Sequence, residues 1–84
     1  MNVKSRVNMS YNLSDLKPKE IKEIKCIRDG SLHGKRLMEL GFLPSTQVEM
    51  IRYSPFGDPI EFGIRGYKVA LRKAEAFDVI LHKG

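Results

Sequence analysis

The groups in this 84-residue chain that could perform chemistry are a single cysteine, two histidines and a scatter of carboxylates. Cys26, His33 and His82 share no spacing that zinc or iron would use. Cys26 is expected to be a small buried hydrophobe, and His33, beside a glycine at a helix start, a surface group. No Ser-His-Asp or Cys-His arrangement can be assembled from two histidines so placed. Glu20, Glu23, Glu39, Glu49 and Glu61 read as solvated faces of strands and a helix. The chain is therefore expected to be no enzyme, with no cofactor and no metal site.

Three short patterns imitate binding loops. DGSLHGKR, residues 29–36, contains a Gly-Lys pair. A phosphate loop needs glycine where Asp29 stands and Ser or Thr where Arg36 follows Lys35. GIRG, residues 63–66, copies a loop that clamps RNA backbone, but that loop joins helices and this one lies between strand patterns. SPFGDP, residues 54–59, has a sufficient explanation as a turn. Gly57 supplies positive φ, Asp58 is expected to bond its own backbone, and Pro59 opens the next strand. Phe56 is the odd member, since a turn needs no large aromatic at its tip. It either folds inward to cap the core or projects as an apolar anchor.

Fifteen Lys and Arg against ten Asp and Glu give a formal charge of +5. That excess permits a phosphate-rich or acidic partner without requiring one. Single-strand binders stack bases on exposed aromatics beside positive charge, and only Tyr53 and Tyr67 could serve. A solvated basic surface is the preferred reading over a nucleic-acid-binding barrel. A lone cysteine excludes an internal disulfide framework and fits a reducing cytoplasm. No apolar run approaches a membrane span, and the first dozen residues lack a signal-peptide core. The expectation is a soluble, intracellular protein.

The elements that must position these groups fit one small domain. Residues 1–12 are polar and aperiodic and are expected to form a flexible extension, with the barrel domain over 13–84. LSDLKPKE predicts one short turn capped by Ser14 or Asp15 and stopped by Pro18. Ile21–Arg28 predicts a strand with mixed faces. Ser31–Leu40 is the convincing helix, capped by Ser31, with Leu37 and Leu40 on one face and Leu32 leading in. Lys35, Arg36 and Glu39 should face water. Gly41 falls where a helix end wants a left-handed residue, Phe42 can fold back on Leu37, and Pro44 prevents a restart. Gln47–Tyr53, apolar on both sides, predicts burial or a bulge. Alternation then marks strands around 60–64, 67–71 and 77–81, with a tight reversal at Gly66 and a helical turn over 72–76. Five short strands and a helix in so short a chain predict a small, strongly bent β-barrel.

LSDLKPKE (13–20), GKRLMELGFLPSTQVEM (34–50) and SPFGDPIEFGIRGYKVALRKAEAFDVIL (54–81), in that order and spacing, resemble the FeoA family. Leu40-Gly41-Phe42-Leu43-Pro44 and the run from Gly57 to Arg72 carry most of the likeness. Ser45 departs from it, standing where the family usually has glycine. The resemblance implies an SH3-like five-stranded barrel with one helix inserted after the first strand and a short helical turn before the last. It also implies a small cytosolic accessory protein of bacterial ferrous iron uptake, partnered by the membrane permease FeoB through its cytosolic G domain. A related barrel forms the terminal domain of iron-dependent repressors, so a metal-responsive domain of that kind is the alternative. Direct iron carriage lacks clustered ligands. The candidate partner-contacting residues are Phe56, Lys35, Arg36, Phe42 and Leu43.

Overall fold

The computed structural model describes residues 10–83. Five strands, β1 (Ile21–Ile27), β2 (Gln47–Tyr53), β3 (Ile60–Ile64), β4 (Tyr67–Leu71) and β5 (Val79–Leu81), form one antiparallel sheet in the order β4-β3-β2-β1-β5. A helix α1 (Gly34–Glu39) follows β1, and a helical turn α2 (Lys73–Phe77) precedes β5. This is the predicted architecture.

The sheet rolls up because β1 serves two neighbours in turn. Its first residues, Ile21 to Glu23, pair with β2, and Ile24 to Ile27 pair with β5 across a register shift between Ile24 and Cys26. A bulge there bends the strand and raises its twist. A second shift between Met50 and Arg52 bends β2 against β3, where the two-sided apolar pattern predicted it. The period-two residues then point inward together. Ile60, Phe62 and Ile64 of β3, Val48 and Met50 of β2, Leu71 of β4 and Val79 of β5 are at most 2% exposed.

Helix α1 has only two turns and holds by burying Leu37 completely, with Leu40 packed at the core's margin. Its C-terminus closes as predicted. Gly41 has φ +104, its N–H donates to the Met38 carbonyl, and the Phe42 N–H donates to the Leu37 carbonyl, each at 3.0 Å. This pair of bonds reverses the chain at a left-handed residue and throws the following side chain back onto the core. The helix starts later than predicted, at Gly34 behind His33, and Ser31 instead closes the turn ahead of it, its Oγ accepting from the His33 N–H at 2.9 Å. Leu32, which leads into the helix, is 95% exposed.

The ordered domain also begins earlier than Leu13. The Leu81 N–H donates to the Tyr11 carbonyl at 2.9 Å, and Asn12 bridges to Ile80. Asn12, rather than Ser14 or Asp15, caps the 3₁₀ turn Leu13–Asp15. Its Oδ1 accepts from the Ser14 N–H, while Asp15 accepts from the Asn12 N–H, so the two close a capping box. The expected flexible extension over residues 1–12 thus loses its last residues to the fold, and its part over 1–9 lies outside the described residues. Ser45 takes φ +72 and keeps its N–H on the Ile24 carbonyl at 2.8 Å, so the turn survives the serine in a conformation that suits glycine. Phe77 closes α2 instead of opening the last strand. No helix among the described residues is long and apolar enough to cross a membrane.

Candidate interaction surface

Helix α2 is five residues long, yet three other segments are fastened to it. At its start, Asp58 Oδ1 accepts from the Lys73 N–H at 2.9 Å, with Arg72 Nη1 3.9 Å from the other carboxylate oxygen. Asp58 therefore closes the end of α2 rather than bonding its own backbone, as the turn pattern had predicted. The β2–β3 loop is thereby tied to α2 by a side chain 15 positions away.

In the middle, Glu75 is nearly buried. Its Oε1 accepts from the Arg72 N–H at 2.8 Å, and its Oε2 receives the Arg36 guanidinium of α1. Arg36 is exposed at its tip, as expected, but it is an anchor between two helices as well as a surface cation. At the far end, Asp78 Oδ2 accepts from Ser31 Oγ at 2.5 Å, and Arg28 donates to the Phe77 carbonyl at 2.7 Å. The Arg28 guanidinium also lies 4.0 Å over the Phe77 ring, within cation–π range.

These ties hold two large apolar side chains in water. Phe56, on the loop held by Asp58, and Leu32, beside the Ser31 tie, are each 95% exposed. Phe56 does not fold inward. The Gly57 N–H closes a turn on the Ser54 carbonyl at 2.8 Å, and Phe56 sits at that turn's crest. A solvated phenylalanine on a braced loop is the kind of apolar anchor around which partner surfaces close. Lys35, exposed on α1, adds a cation that forms no salt bridge among the described residues.

The other candidate residues separate. Phe42 is fully buried in the core and can touch no partner, a correction that follows from its N–H closing the end of α1 and turning the ring inward. Leu43, 38% exposed, lies past that corner on the turn closed by the Thr46 N–H on its carbonyl. The structure thus ties Arg36 and the loop bearing Phe56 to α2, with Lys35 next to Arg36 in the chain. Sequence reasoning missed Glu75 and Asp58. Glu75 stands three positions after Arg72, a local signal of a helix start. Nothing in the order of residues tells that it also meets Arg36.

Elsewhere the surface is less organised. An open groove of about 590 Å³ crosses the sheet where Ile21, Glu49, Gly63 and Lys68 stand opposite one another on β1 to β4. Tyr53 and Tyr67 are rim residues, 44% and 46% exposed, and the Tyr67 hydroxyl donates to the Leu40 carbonyl. Arg52 hydrogen-bonds Glu61 on the exposed face of β2 and β3, which holds the Glu61 carboxyl below its ordinary range. Burial, aided by the negative charges of Glu20 and Asp15, pushes the Tyr11 phenol up. Cys26 is half-buried at the β1 bulge rather than fully enclosed. Among the described residues, no three of His, Cys, Asp and Glu gather as a metal would require.

Comparison with known proteins places this arrangement. Residues 11–82 match the family model described as the FeoA domain. The solution structure of a FeoA-like protein from Clostridium acetobutylicum superposes with a TM-score of 0.81 at 29% identity, covering 87% of this chain and 85% of that one. The FeoA of Stenotrophomonas maltophilia, crystallised with zinc, superposes with a TM-score of 0.76 at 27% identity, over 87% of this chain and 91% of its own. It is described as a prokaryotic SH3 domain protein possibly acting as a ferrous iron transport activating factor. A manganese-dependent transcriptional repressor shares the fold alone, at 15% identity and a TM-score of 0.78, over 36% of its length.

Proposed function

The chain belongs to the FeoA domain family, and from that membership we propose that it is a cytosolic, non-catalytic accessory protein of bacterial ferrous iron uptake that docks on the G domain of a FeoB-type permease through its α2 side. One observation carries the choice of surface: Phe56 is 95% exposed on a loop that Asp58 fastens to α2. Holding a phenyl ring in water forgoes the burial that small cores exploit, and bracing it there gives a partner a preformed apolar knob. Leu32 and Lys35 extend the same surface, and Arg36 and Glu75 keep α1 and α2 in one arrangement beneath it.

The basic charge does not favour a nucleic-acid reading. Arg28, Arg36, Arg52 and Arg72 each face a carboxylate within the protein. Their guanidinium groups are thus partly spent before any phosphate arrives. The test is a titration of the protein with the isolated cytosolic domain of a FeoB permease, with and without a GTP analogue. Saturable binding that weakens with Phe56→Ala is the expected outcome. Binding indifferent to Phe56, Leu32 and Lys35 alike would move the docking surface off the α2 side.

A further inference from the structure

The two edges of the sheet are treated differently. The outer side of β5 is occupied by the segment at Tyr11 and Asn12, whereas β4 pairs with β3 alone. Pairing fixes which backbone groups of β4 stay free. The β3–β4 hairpin turns through two residues, Arg65 and Gly66, both with positive φ, so that Ile64 and Tyr67 face each other. Such a turn makes Ile64–Tyr67 a hydrogen-bonded pair, followed by Phe62–Val69 and Ile60–Leu71. The N–H and C=O groups of Lys68 and Ala70, between those pairs, therefore point away from the sheet. Both residues are exposed, and no backbone bond is made to either on that side.

The side chains of β4 and of its two flanks carry charge of one sign. Arg65 stands before β4, Lys68 within it and Lys73 after it, and none of the three side chains forms a salt bridge among the described residues. The strand YKVAL contains no acid, and Glu61, opposite Ala70 on β3, is hydrogen-bonded by Arg52 and also feels the charge of Lys68. A lysine on an edge strand discourages pairing with apolar or basic strands. The same charge favours an acidic one.

We propose that the β4 edge is a strand-addition site, at which an extended acidic segment of a partner protein adds alongside Lys68 and Ala70 as a sixth strand. Main-chain bonds to Lys68 and Ala70 supply the register, as in other strand-addition complexes. The row of cations selects acidic residues at alternate positions and speeds the encounter. A second copy of the chain is disfavoured as occupant, because pairing β4 with itself brings like charges together. This site adjoins the α2 side at Lys73, and its strand pairing does not depend on the G-domain reading.

The probe is a capped seven-residue peptide in which glutamate alternates with valine and threonine, compared with the same peptide carrying lysine for glutamate. Titration into the isotope-labelled protein, followed by amide spectra and hydrogen exchange, reads the site residue by residue. The expected result is binding on the order of 1 mM or tighter, with the Lys68 and Ala70 amides shifting and slowing in exchange. The lysine peptide should bind about tenfold more weakly, and Lys68→Glu should reverse the preference. Ala70→Pro removes the outward donor, a change edge strands tolerate, and should abolish binding. Should that variant fail to fold, Lys68→Glu still decides. Equal binding of both peptides, shifts at Phe56 and α2 instead of β4, or no shift at several times that concentration would overturn the proposal. So would sedimentation showing self-association that already protects these amides. Weakened G-domain binding by Phe56→Ala would stand regardless of that failure.

Discussion

Phe42 and Phe56 have the same side chain, and each adjoins a glycine with positive φ, Gly41 and Gly57. One is fully buried and the other 95% exposed. At Gly41 the chain is ending a helix, and two backbone bonds to Leu37 and Met38 wind it back over the core. At Gly57 the chain is joining two strands, and the bond to Ser54 lifts the residue before the glycine to the crest of a turn. The same local ingredients thus send one ring in and one ring out. What differs is which element precedes the glycine and which surface lies beneath. A glycine next to an aromatic marks a reversal; it does not say on which side the ring lands.

The largest break in this comparison is Phe42→Ala, which should lower stability by about 3–5 kcal/mol, measured by denaturant unfolding. A loss below about 1 kcal/mol would mean that the core collapses around the gap. Gly41→Ala tests the turn itself. A Cβ there would sit 3.1 Å from the Tyr67 hydroxyl oxygen and 3.3 Å from Arg65 Cδ at φ +104. Left-handed backbone alone should cost about 1–2 kcal/mol, whereas Gly57, with open space around it, should lose only the backbone component on the same substitution.

Asp58→Ala removes the acceptor at the start of α2 and should cost about 1 kcal/mol. Amide exchange at Lys73 should rise with it, and an unchanged Lys73 amide would show that the tie does not brace the Phe56 loop. Phe56→Ala should change stability by less than about 0.5 kcal/mol while weakening the G-domain interaction. A large stability loss would place the ring against the core after all. The smallest effect belongs to the exposed Arg52–Glu61 pair. Because Arg52 lowers the folded-state pKa of Glu61, its contribution is present above the ordinary glutamate range and fades as pH falls through the folded value. Glu61→Gln should therefore lower stability slightly in the neutral region, flatten the acid limb, and meet the parent profile at low pH where Glu61 is protonated anyway.

The legible parts of this protein are those that rest on near neighbours in the chain. The bounds of β3 and β4 follow from period-two alternation. The end of α1 follows from Leu37, Gly41 and Phe42, because a helix terminus is closed by residues at most five apart. The bulge in β2 could be read from apolar residues falling on both faces. The ordered set of motifs was enough for the FeoA family and its barrel, since together they span nearly all of residues 13–82.

The candidate surface was legible only in part. Phe56, Lys35 and Arg36 could be nominated by type, but Phe42 was nominated wrongly, since it is fully buried. Asp58 meets Lys73 across 15 positions, Glu75 meets Arg36 across 39, and Ser31 meets Asp78 across 47. None of these pairings has a local signature, because a carboxylate's partner is whichever donor the folded chain carries to it. Whether Phe56, Leu32 or the edge of β4 is covered is likewise a property of what the other elements leave open. Residue type and spacing determined the strands, the reversals and the family. Which polar groups met, and which apolar groups stayed in water, was decided when the sheet closed on itself, since exposure belongs to the assembled surface and not to any stretch of chain.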